Sequence, residues 1–155
     1  MKIVSNISRA ARLAPSIGRA LFMGWRNPPA YPLWLQIEHT HRCNLKCVMC
    51  VHGNPEFAPS PDMPMPLFER ILNQFNSPDS RPGFDRIECL SLQGVGEPLL
   101  HPRALDMLAL GKAKGMRTMF VSNMTLLSPT AAERLVEMEH DLIVASVDTV
   151  DPALM

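Results

Sequence analysis

The sequence lacks several features that would each assign it to a broad class of protein. No stretch approaches the roughly 18 consecutive apolar residues of a transmembrane helix, so no membrane span is expected. The 155 residues carry 15 basic and 15 acidic side chains, and they lack the basic excess that nucleic-acid binding requires. Apart from a proline-rich loop at residues 55–66, no low-complexity tract is present. What remains is an ordinary globular chain that is long enough to bury a core.

Cysteine is also scarce, and its distribution excludes a disulfide framework. Three of the four cysteines lie within residues 43–50, whereas a small secreted protein spreads pairs of cysteines along its chain. The apolar run at residues 20–25 is interrupted by Gly24 and is too short for a secretory signal. We therefore expect a cytoplasmic protein with a metal or cluster site.

Residues 1–30 are predicted to form a separate basic helical segment. They carry five basic and no acidic residues, and apolar residues recur at helical spacing from Ile3 to Ile17. Pro15 would kink or end such a helix. The pattern fits a surface or barrel-covering helix, and it also fits a contact with a membrane surface or a partner protein. Residues 31–155 are expected to form the core domain.

Within the core domain, strand and helix patterns alternate. Four short runs rich in Ile, Val, Leu or Phe predict buried parallel strands at residues 33–37, 87–92, 117–121 and 142–147. Three helical patterns lie between them, and they begin at Pro66, Pro102 and Ser128. Thr130 with Glu133 is an alternative capping box for the third helix. The alternation predicts an α/β fold with a parallel sheet built from barrel-type units.

In such folds, the chemistry gathers in the loops that follow the carboxyl ends of the strands. All four of these loops are polar here, and they comprise residues 43–50, 94–98, 122–125 and 146–148. We therefore expect the four loops to lie around one mouth and to form one site.

The first of these loops carries three cysteines with the spacing C-x3-C-x2-C. Three thiolates this close in sequence can surround an iron–sulfur cluster, and a four-iron cluster with three local ligands keeps one iron open. Alternatives are a tetrahedral zinc ion with His39, His41 or His52 as fourth ligand, and unliganded thiols. The fourth cysteine, Cys89, lies about 16 Å below the mouth at roughly 3.3 Å per strand residue, and we predict that it is a small core residue.

The cysteine loop resembles the cluster-binding motif of the radical S-adenosylmethionine (radical SAM) enzymes, since it reads Cys-Asn-Leu-Lys-Cys-Val-Met-Cys. Later stretches follow in the family's order. Residues 95–98 resemble its Gly-Gly-Glu-Pro loop, residues 122–127 resemble Thr-Asn-Gly-Thr-Leu-Leu, and Ser146 with Asp148 resembles Ser-x-Asp. The resemblance extends from about residue 33 to the last residue. It implies a partial (β/α)6 TIM-like barrel, of which about four β/α units are present.

This resemblance implies two cofactors, a [4Fe-4S] cluster held by Cys43, Cys47 and Cys50, and S-adenosyl-L-methionine. The open iron would chelate the amino and carboxylate groups of S-adenosylmethionine. An electron from an external one-electron reductant would then cleave it, giving a 5′-deoxyadenosyl radical that abstracts hydrogen from a substrate in an oxidoreductase-type reaction. The Cys-Val-Met-Cys ending resembles members that modify peptides or proteins and carry a C-terminal cysteine-rich (SPASM-type) extension. A peptide or protein is thus the implied substrate.

Seven further residues are candidate cofactor contacts: Met49, Gly94, Gly96, Glu97, Asn123, Ser146 and Asp148. By the resemblance, the Glu97 carboxylate would accept a hydrogen bond from the ammonium group of S-adenosylmethionine. Met49 would pack against the adenine or shield the cluster. The two glycines would allow a close backbone approach to a ligand, or simply form a turn.

The remaining candidates have two interpretations each. Ser146 and Asp148 resemble groups that contact the ribose or the substrate, and they also suit a turn at the end of a strand. Asn123 likewise suits a turn. Its neighbour Met124 replaces the family's Gly, at a position where a positive φ would be costly for Met.

The chain length is short for the family. A complete barrel typically has six β/α units, and this chain would supply just under four. Residues 151–155 are predicted to begin a fourth helix that ends after its first turn, and the outer edge of the fourth strand would be uncovered. We therefore expect a radical SAM core domain that is truncated at its C-terminus. A metal-binding module without catalysis and an inactive fragment are the alternatives to an enzyme.

Overall fold

The computed structural model describes residue 22 and residues 34–75 and 87–147. Four strands alternate with three helices in the described part of the chain. The strands are β1 (Trp34–Ile37), β2 (Cys89–Leu92), β3 (Arg117–Ser122) and β4 (Leu142–Ala145). The helices are α1 (Met65–Asn73), α2 (Ala104–Ala113) and α3 (Pro129–Glu137). Every strand and helix that the sequence predicts within these residues is therefore present.

All four strands are parallel and form one sheet in the order β1-β2-β3-β4. Each strand thus pairs with the next one in sequence, and the connections all contain a helix. This order is that of consecutive barrel units, whereas a doubly wound sheet reverses its order at a switch point. The predicted α/β class with parallel strands is confirmed, and so is the partial barrel of about four units.

Alternate strand residues bury their side chains against the helices. Leu90 and Leu92 of β2 and Phe120 of β3 are fully buried in one core with Phe68 of α1 and Met107 of α2. Because side chains alternate between the two faces of a strand, this spacing of two residues directs one face of the sheet to the helical layer. The apolar stripes of the helices cover that face and thereby fix the carboxyl ends of the strands at one edge.

Helix α2 approaches β2 closely because it has a glycine at the contact. A Cβ atom on Gly111 would lie 2.6 Å from Cδ2 of Leu90. Cys89, at the start of β2, is only partly buried and lies outside the hydrophobic core, so its prediction as a core residue is wrong. The first residue of a short strand lies at the rim of the helical layer, where packing is incomplete.

Helix α3 begins where the capping signal predicts. The hydroxyl of Ser128 accepts a hydrogen bond from the amide of Ala131 at 3.1 Å, and Pro129 occupies the first helical position. Ser128 is therefore the cap, rather than the alternative box of Thr130 with Glu133. Helix α2 begins at Ala104, two residues after the predicted Pro102, because residues 101–103 form a turn.

Three predictions concern residues that lie outside the described part of the chain. They are the helical segment of residues 1–30, the contact of Asp148 and the fourth helix at residues 151–155. Of the first segment, only Phe22 is described. Strand β4 forms one edge of the described sheet, and its Leu142 and Val144 side chains are exposed. None of the helices within the described residues is long and apolar enough to cross a membrane.

Candidate functional site

The loops that follow β1, β2 and β3 are hydrogen-bonded to one another at the carboxyl edge of the sheet. The amide of Gln93 donates to the carbonyl of Ile37 at 3.3 Å, and the amide of Glu97 donates to the carbonyl of Arg42 at 2.7 Å. Beyond them, the amide of Ser146 donates to the carbonyl of Ser122 at 2.8 Å. The predicted gathering of these loops at one mouth is thus present in the described residues.

The cysteine loop is a series of tight turns. The amide of Cys50 donates to the carbonyl of Cys47 at 3.0 Å, and the amide of Gly53 donates to the carbonyl of Cys50 at 2.9 Å. A Cβ atom on Gly53 would lie 2.7 Å from the carbonyl oxygen of Cys47, so this turn requires glycine. Cys43, Cys47 and Cys50 are all partly buried, and none forms a disulfide.

An ion pair fixes the residue that precedes the first cysteine. The guanidinium of Arg42 donates to both carboxylate oxygens of Asp62, and also to the carbonyl of Leu100 at 2.8 Å. The hydroxyl of Thr40 donates to the same carboxylate at 2.7 Å. The Arg42 guanidinium holds the pKa of Asp62 below its ordinary value. Asp62 lies in the proline-rich loop. This loop therefore anchors residues 40–42, which lead into the cysteine loop and form its root.

Both candidate glycines are packed against the chain itself. A Cβ atom on Gly96 would lie 2.8 Å from the carbonyl carbon of Thr40 and 2.9 Å from the carbonyl oxygen of Arg42. A Cβ atom on Gly94 would lie 2.5 Å from the carboxylate carbon of Glu38. These glycines allow the loop after β2 to lie against the root of the cysteine loop. The predicted close approach of a ligand to these glycines stays a prediction.

Glu97 is almost completely buried, with 3% of its surface exposed. Its Oε1 accepts hydrogen bonds from the hydroxyl of Ser122 at 2.7 Å and from the amide of Leu99 at 3.2 Å. Its Oε2 accepts a hydrogen bond from the amide of Asn123 at 2.8 Å. A buried carboxylate needs such donors, and the two from Ser122 and Asn123 join the loop after β2 to the end of β3 and the loop that follows it. The predicted bond from Glu97 to a ligand ammonium stays a prediction.

The side chain of Asn123 joins the loop after β3 to the cysteine loop. Its Nδ2 lies 3.9 Å from Sγ of Cys43 and donates to Oδ1 of Asn44 at 3.0 Å. Asn44 in turn donates from Nδ2 to the hydroxyl of Thr125 at 2.7 Å. No sequence pattern indicates the contact between Asn44 and Thr125, because polar pairing across 81 residues leaves no local signal.

The other candidates lie around this network. Met49 is 72% exposed, so it is free to contact a ligand at the mouth. Ser146 follows β4 and is held by its backbone bond to Ser122. Met124 has φ of 64°, so a methionine adopts the left-handed conformation that the family's glycine would favour. The amide of Met124 donates to the hydroxyl of Ser122 at 2.9 Å, and this bond supports the strained turn.

Two of the three histidines near the cysteines make polar contacts elsewhere, whereas the buried Nε2 of His52 has no hydrogen-bond partner. Nε2 of His39 lies 3.3 Å from the carbonyl of Pro98, and Nε2 of His41 lies 3.0 Å from Oε2 of Glu38. The ring of His52 packs edge-on against Phe57 at 4.9 Å. Among the described residues, no group of three or more His, Cys, Asp or Glu side chains is arranged to hold a single metal ion. The geometry therefore gives no support to the zinc interpretation.

The donor set fits an iron–sulfur cluster. Such a cluster takes one thiolate on each of several irons, so its cysteines do not converge on a single point. Two N–H groups are directed at Sγ of Cys43, namely the Leu45 amide at 3.4 Å and the Asn123 side chain at 3.9 Å. Donors of this kind stabilise a thiolate. Three free thiols in one loop, with N–H groups around one of them, match the chemistry that a cluster requires.

His39 gives a pH-dependent contribution to stability that can be measured. Its ring is buried, with 2% of its surface exposed, and burial lowers its pKa from 6.5 to about 4. His101, whose ring centroid is 5.3 Å away, and Asp62 are the ionisable groups that face it. Between pH 6.5 and 4, the unfolded chain binds a proton at this site that the folded chain does not bind. The stability is therefore fully present above pH 6.5 and decreases as the pH falls toward 4.

We expect the free energy of unfolding to fall between about pH 7.5 and pH 4 by about 3 kcal/mol more in the parent chain than in His39→Gln. Urea denaturation of both proteins at each pH measures this difference. His140, whose pKa is also lowered by burial, is present in both proteins and does not enter the comparison. Equal pH dependence of the two proteins would contradict the prediction.

The chain matches known proteins over most of its length. A family model described as the radical SAM superfamily matches residues 37–154. A curated protein of Pyrococcus furiosus, named tungsten-containing aldehyde ferredoxin oxidoreductase cofactor-modifying protein, is 34% identical over 120 residues. The match covers 77% of this chain and 32% of that protein, so the chain spans about a third of the relative's length.

Solved structures share the fold. SuiB of Streptococcus suis bound to S-adenosylmethionine has a TM-score of 0.66 and 25% identity, over 81% of this chain and 27% of SuiB. SuiB bound to precursor peptide SuiA has a TM-score of 0.64 and 24% identity, over 95% and 29% of the two chains. BtrN in complex with AdoMet and 2-DOIA has a TM-score of 0.62 and 19% identity, over 74% and 45%.

Proposed function

Because the chain belongs to the radical SAM superfamily, we propose that it binds a [4Fe-4S] cluster through Cys43, Cys47 and Cys50 and uses it to cleave S-adenosylmethionine. When bound, the cluster supplies one electron that breaks a carbon–sulfur bond of the sulfonium, giving methionine and a 5′-deoxyadenosyl radical. This radical removes a hydrogen atom from the substrate. The observation that carries the proposal is the loop of three free thiols directly after β1, joined to the loops after β2 and β3.

Side chains and backbone groups of the protein fix the positions of these three loops. Glu97 binds the loop after β3 from its buried position, and Gly96 allows its loop to lie against the root of the cysteine loop. Arg42 fastens that root to Asp62 and to Leu100. The loops after β1, β2 and β3 are therefore held at fixed positions relative to one another. Such a preorganised site binds its ligands without rearrangement.

Exposed candidates at the mouth are proposed to contact S-adenosylmethionine. Met49 is exposed beside Cys50, where its flexible thioether suits contact with an aromatic base. The residues after β4, Ser146 and Asp148, are proposed to contact the ribose or the substrate. The Glu97 carboxylate is proposed to accept a hydrogen bond from the ammonium group of S-adenosylmethionine, and Gly94, in the same loop, is proposed to allow the ligand to approach the backbone.

We propose that the substrate is a peptide or a protein. SuiB, whose fold resembles that of this chain at 24% identity, has been crystallised with a precursor peptide. The Cys-Val-Met-Cys ending of the cysteine loop also resembles that of family members that modify peptides or proteins. The Pyrococcus relative is 34% identical, and its name favours a second candidate, a cofactor of another enzyme. Both substrates require the same radical, so the cluster chemistry does not distinguish them.

The setting of the reaction follows from its chemistry. We propose that an external one-electron reductant supplies the electron that the reductive cleavage of S-adenosylmethionine consumes. We propose a cytoplasmic location, where three neighbouring thiols stay reduced. We also propose that residues 31–155 form the N-terminal part of the radical SAM core domain, preceded by the basic segment of residues 1–30.

Anaerobic reconstitution tests the proposal. We expect the chain, after incubation with iron and sulfide, to bind about four irons and show cluster absorption bands. With dithionite and S-adenosylmethionine, it is expected to form 5′-deoxyadenosine, which chromatography detects. The matched control is the Cys47→Ala variant under identical conditions. Colourless protein with stoichiometric zinc would refute the proposal, and a cluster without cleavage would favour an inactive fragment.

A further inference from the structure

We propose that Asn123 is a positioning residue that raises the reduction potential of the cluster by hydrogen-bonding to the sulfur of Cys43. The inference rests on the proposed function, because it requires that Cys43 be a cluster ligand. It goes beyond that function by proposing that a residue in the loop after another strand helps to set the reduction potential of the cluster. Asn123 follows β3, 80 residues after Cys43.

The orientation of the Asn123 side chain is determined by the donors that its oxygen faces. Its Oδ1 accepts hydrogen bonds from the amide of Thr125 at 3.0 Å and from the hydroxyl of Thr125 at 2.7 Å. A backbone amide can only donate, so the oxygen of the Asn123 side chain has to face Thr125. Its NH2 group therefore faces the cysteine loop, where it can only donate.

The side chains of Asn123, Asn44 and Thr125 form a closed ring of hydrogen bonds. The Thr125 hydroxyl donates to Asn123 and accepts from Nδ2 of Asn44 at 2.7 Å. Asn44 then accepts at Oδ1 the hydrogen bond from Nδ2 of Asn123 at 3.0 Å. Each group has one consistent role in this ring, and reversing either amide would bring two donors or two acceptors together. The ring leaves the second N–H of Asn123 directed toward Sγ of Cys43.

The backbone of Asn123 is held rigidly by the loop after β2. The backbone amide of Asn123 donates to the buried carboxylate of Glu97 at 2.8 Å, and Ser122 donates to the same carboxylate. Glu97 is in turn fixed by its own amide, which donates to the carbonyl of Arg42. The hydrogen bonds of Glu97 thus fix both Asn123 and the residue before Cys43. The contact of 3.9 Å between Nδ2 of Asn123 and Sγ of Cys43 therefore does not depend on a mobile side chain.

The consequence for a bound cluster is electrostatic. Reduction adds negative charge to the cluster and its thiolates, so a hydrogen bond to a thiolate sulfur stabilises the reduced state more than the oxidised state. Hydrogen bonds to sulfur are among the factors that set cluster potentials. Asn123 therefore makes the cluster easier to reduce, and its removal makes reduction harder.

Redox titration of the reconstituted chain tests this inference without any turnover. We expect the midpoint potential of Asn123→Ala, followed by electron paramagnetic resonance in the absence of S-adenosylmethionine, to be more negative than that of the parent. The matched control is Thr125→Val, which removes two hydroxyl hydrogen bonds of the same ring but no donor to sulfur. Its potential is expected to stay close to that of the parent.

A second variant keeps the test decisive if alanine disturbs the loop. Asn123→Asp has the same shape and can still accept from the Thr125 amide, but it has no N–H for the sulfur. We expect its potential also to be more negative. An unchanged potential in either Asn123 variant with full iron content would overturn the inference, as would an equal shift in Thr125→Val.

Iron content separates this inference from the proposed function. If the parent chain binds no cluster, the proposed function fails first. If the parent binds a cluster and both Asn123 variants lose their iron, Asn123 is a loop anchor, and the inference is overturned while the proposed function stands.

Discussion

Replacing Cys43, Cys47 or Cys50 with Ala is expected to abolish cluster binding, whereas Cys89→Ala is expected to leave it intact. The three cysteines lie in one loop at the carboxyl end of β1, and each would supply the ligand of one iron. Cys89 pairs with Trp34 and Arg117 at the opposite end of the sheet. Burial raises the pKa of the Cys89 thiol, which opposes formation of the thiolate that a metal requires.

Iron and sulfide analysis after anaerobic reconstitution measures this effect. The parent is expected to carry about four irons per chain and each of the three loop variants close to none. Circular dichroism of the unreconstituted proteins shows whether a variant has lost its fold rather than its ligand. Full iron content in Cys47→Ala would contradict the ligand assignment, and loss of iron in Cys89→Ala would show that a fourth cysteine takes part.

Local signals in the sequence were sufficient to predict the elements that carry the site. The apolar run at residues 117–121 became β3, and Ser128 with Pro129 began α3, because a strand run and a helix cap are each determined by a few neighbouring residues. The order of strands and helices then limited the topology to a parallel sheet. The mouth followed from this topology, since the carboxyl ends of parallel strands lie at one edge.

The contacts within the mouth were beyond sequence reasoning. The resemblance predicts that Glu97 binds a ligand, but no sequence pattern indicates that its buried carboxylate also accepts hydrogen bonds from Ser122 and Asn123. Which donors reach a carboxylate depends on the register between neighbouring strands, and a single sequence carries no information on that register. The pairing of Arg42 with Asp62 was missed because it joins two loops 20 residues apart, and the relative position of loops leaves no local signal in the sequence.

The two glycines after β2 show how a motif can be identified while its physical reason is missed. Glycine in such a loop is compatible with a ligand, a turn or another segment of chain, and the sequence does not distinguish these. In the structure, both positions lie against residues 38–42, which lead into the cysteine loop. The glycines therefore allow the two loops to pack together, so that the position of the cysteine loop depends on that of the loop after β2.

This connection predicts that Gly96→Ala is much more damaging than Gly94→Ala. An added Cβ at residue 96 would meet backbone atoms of Thr40 and Arg42, whereas at residue 94 it would meet only the side chain of Glu38. A side chain can rotate away, but the backbone moves only with the whole cysteine loop. The Glu97 amide also donates to the carbonyl of Arg42, so the same shift breaks this bond.

We expect Gly96→Ala to lower the free energy of unfolding by about 3 kcal/mol, at the upper end of the range for overpacked sites, and to reduce iron uptake. Gly94→Ala is expected to lower it by about 1 kcal/mol, because it releases the hydrogen bond between Glu38 and the amide of Val95. Urea denaturation before reconstitution measures both values, and iron analysis afterwards shows whether the cysteine loop has moved. Equal stability of the two variants would mean that the cysteine loop adapts to an added methyl group, and the loops would then not be held as one unit.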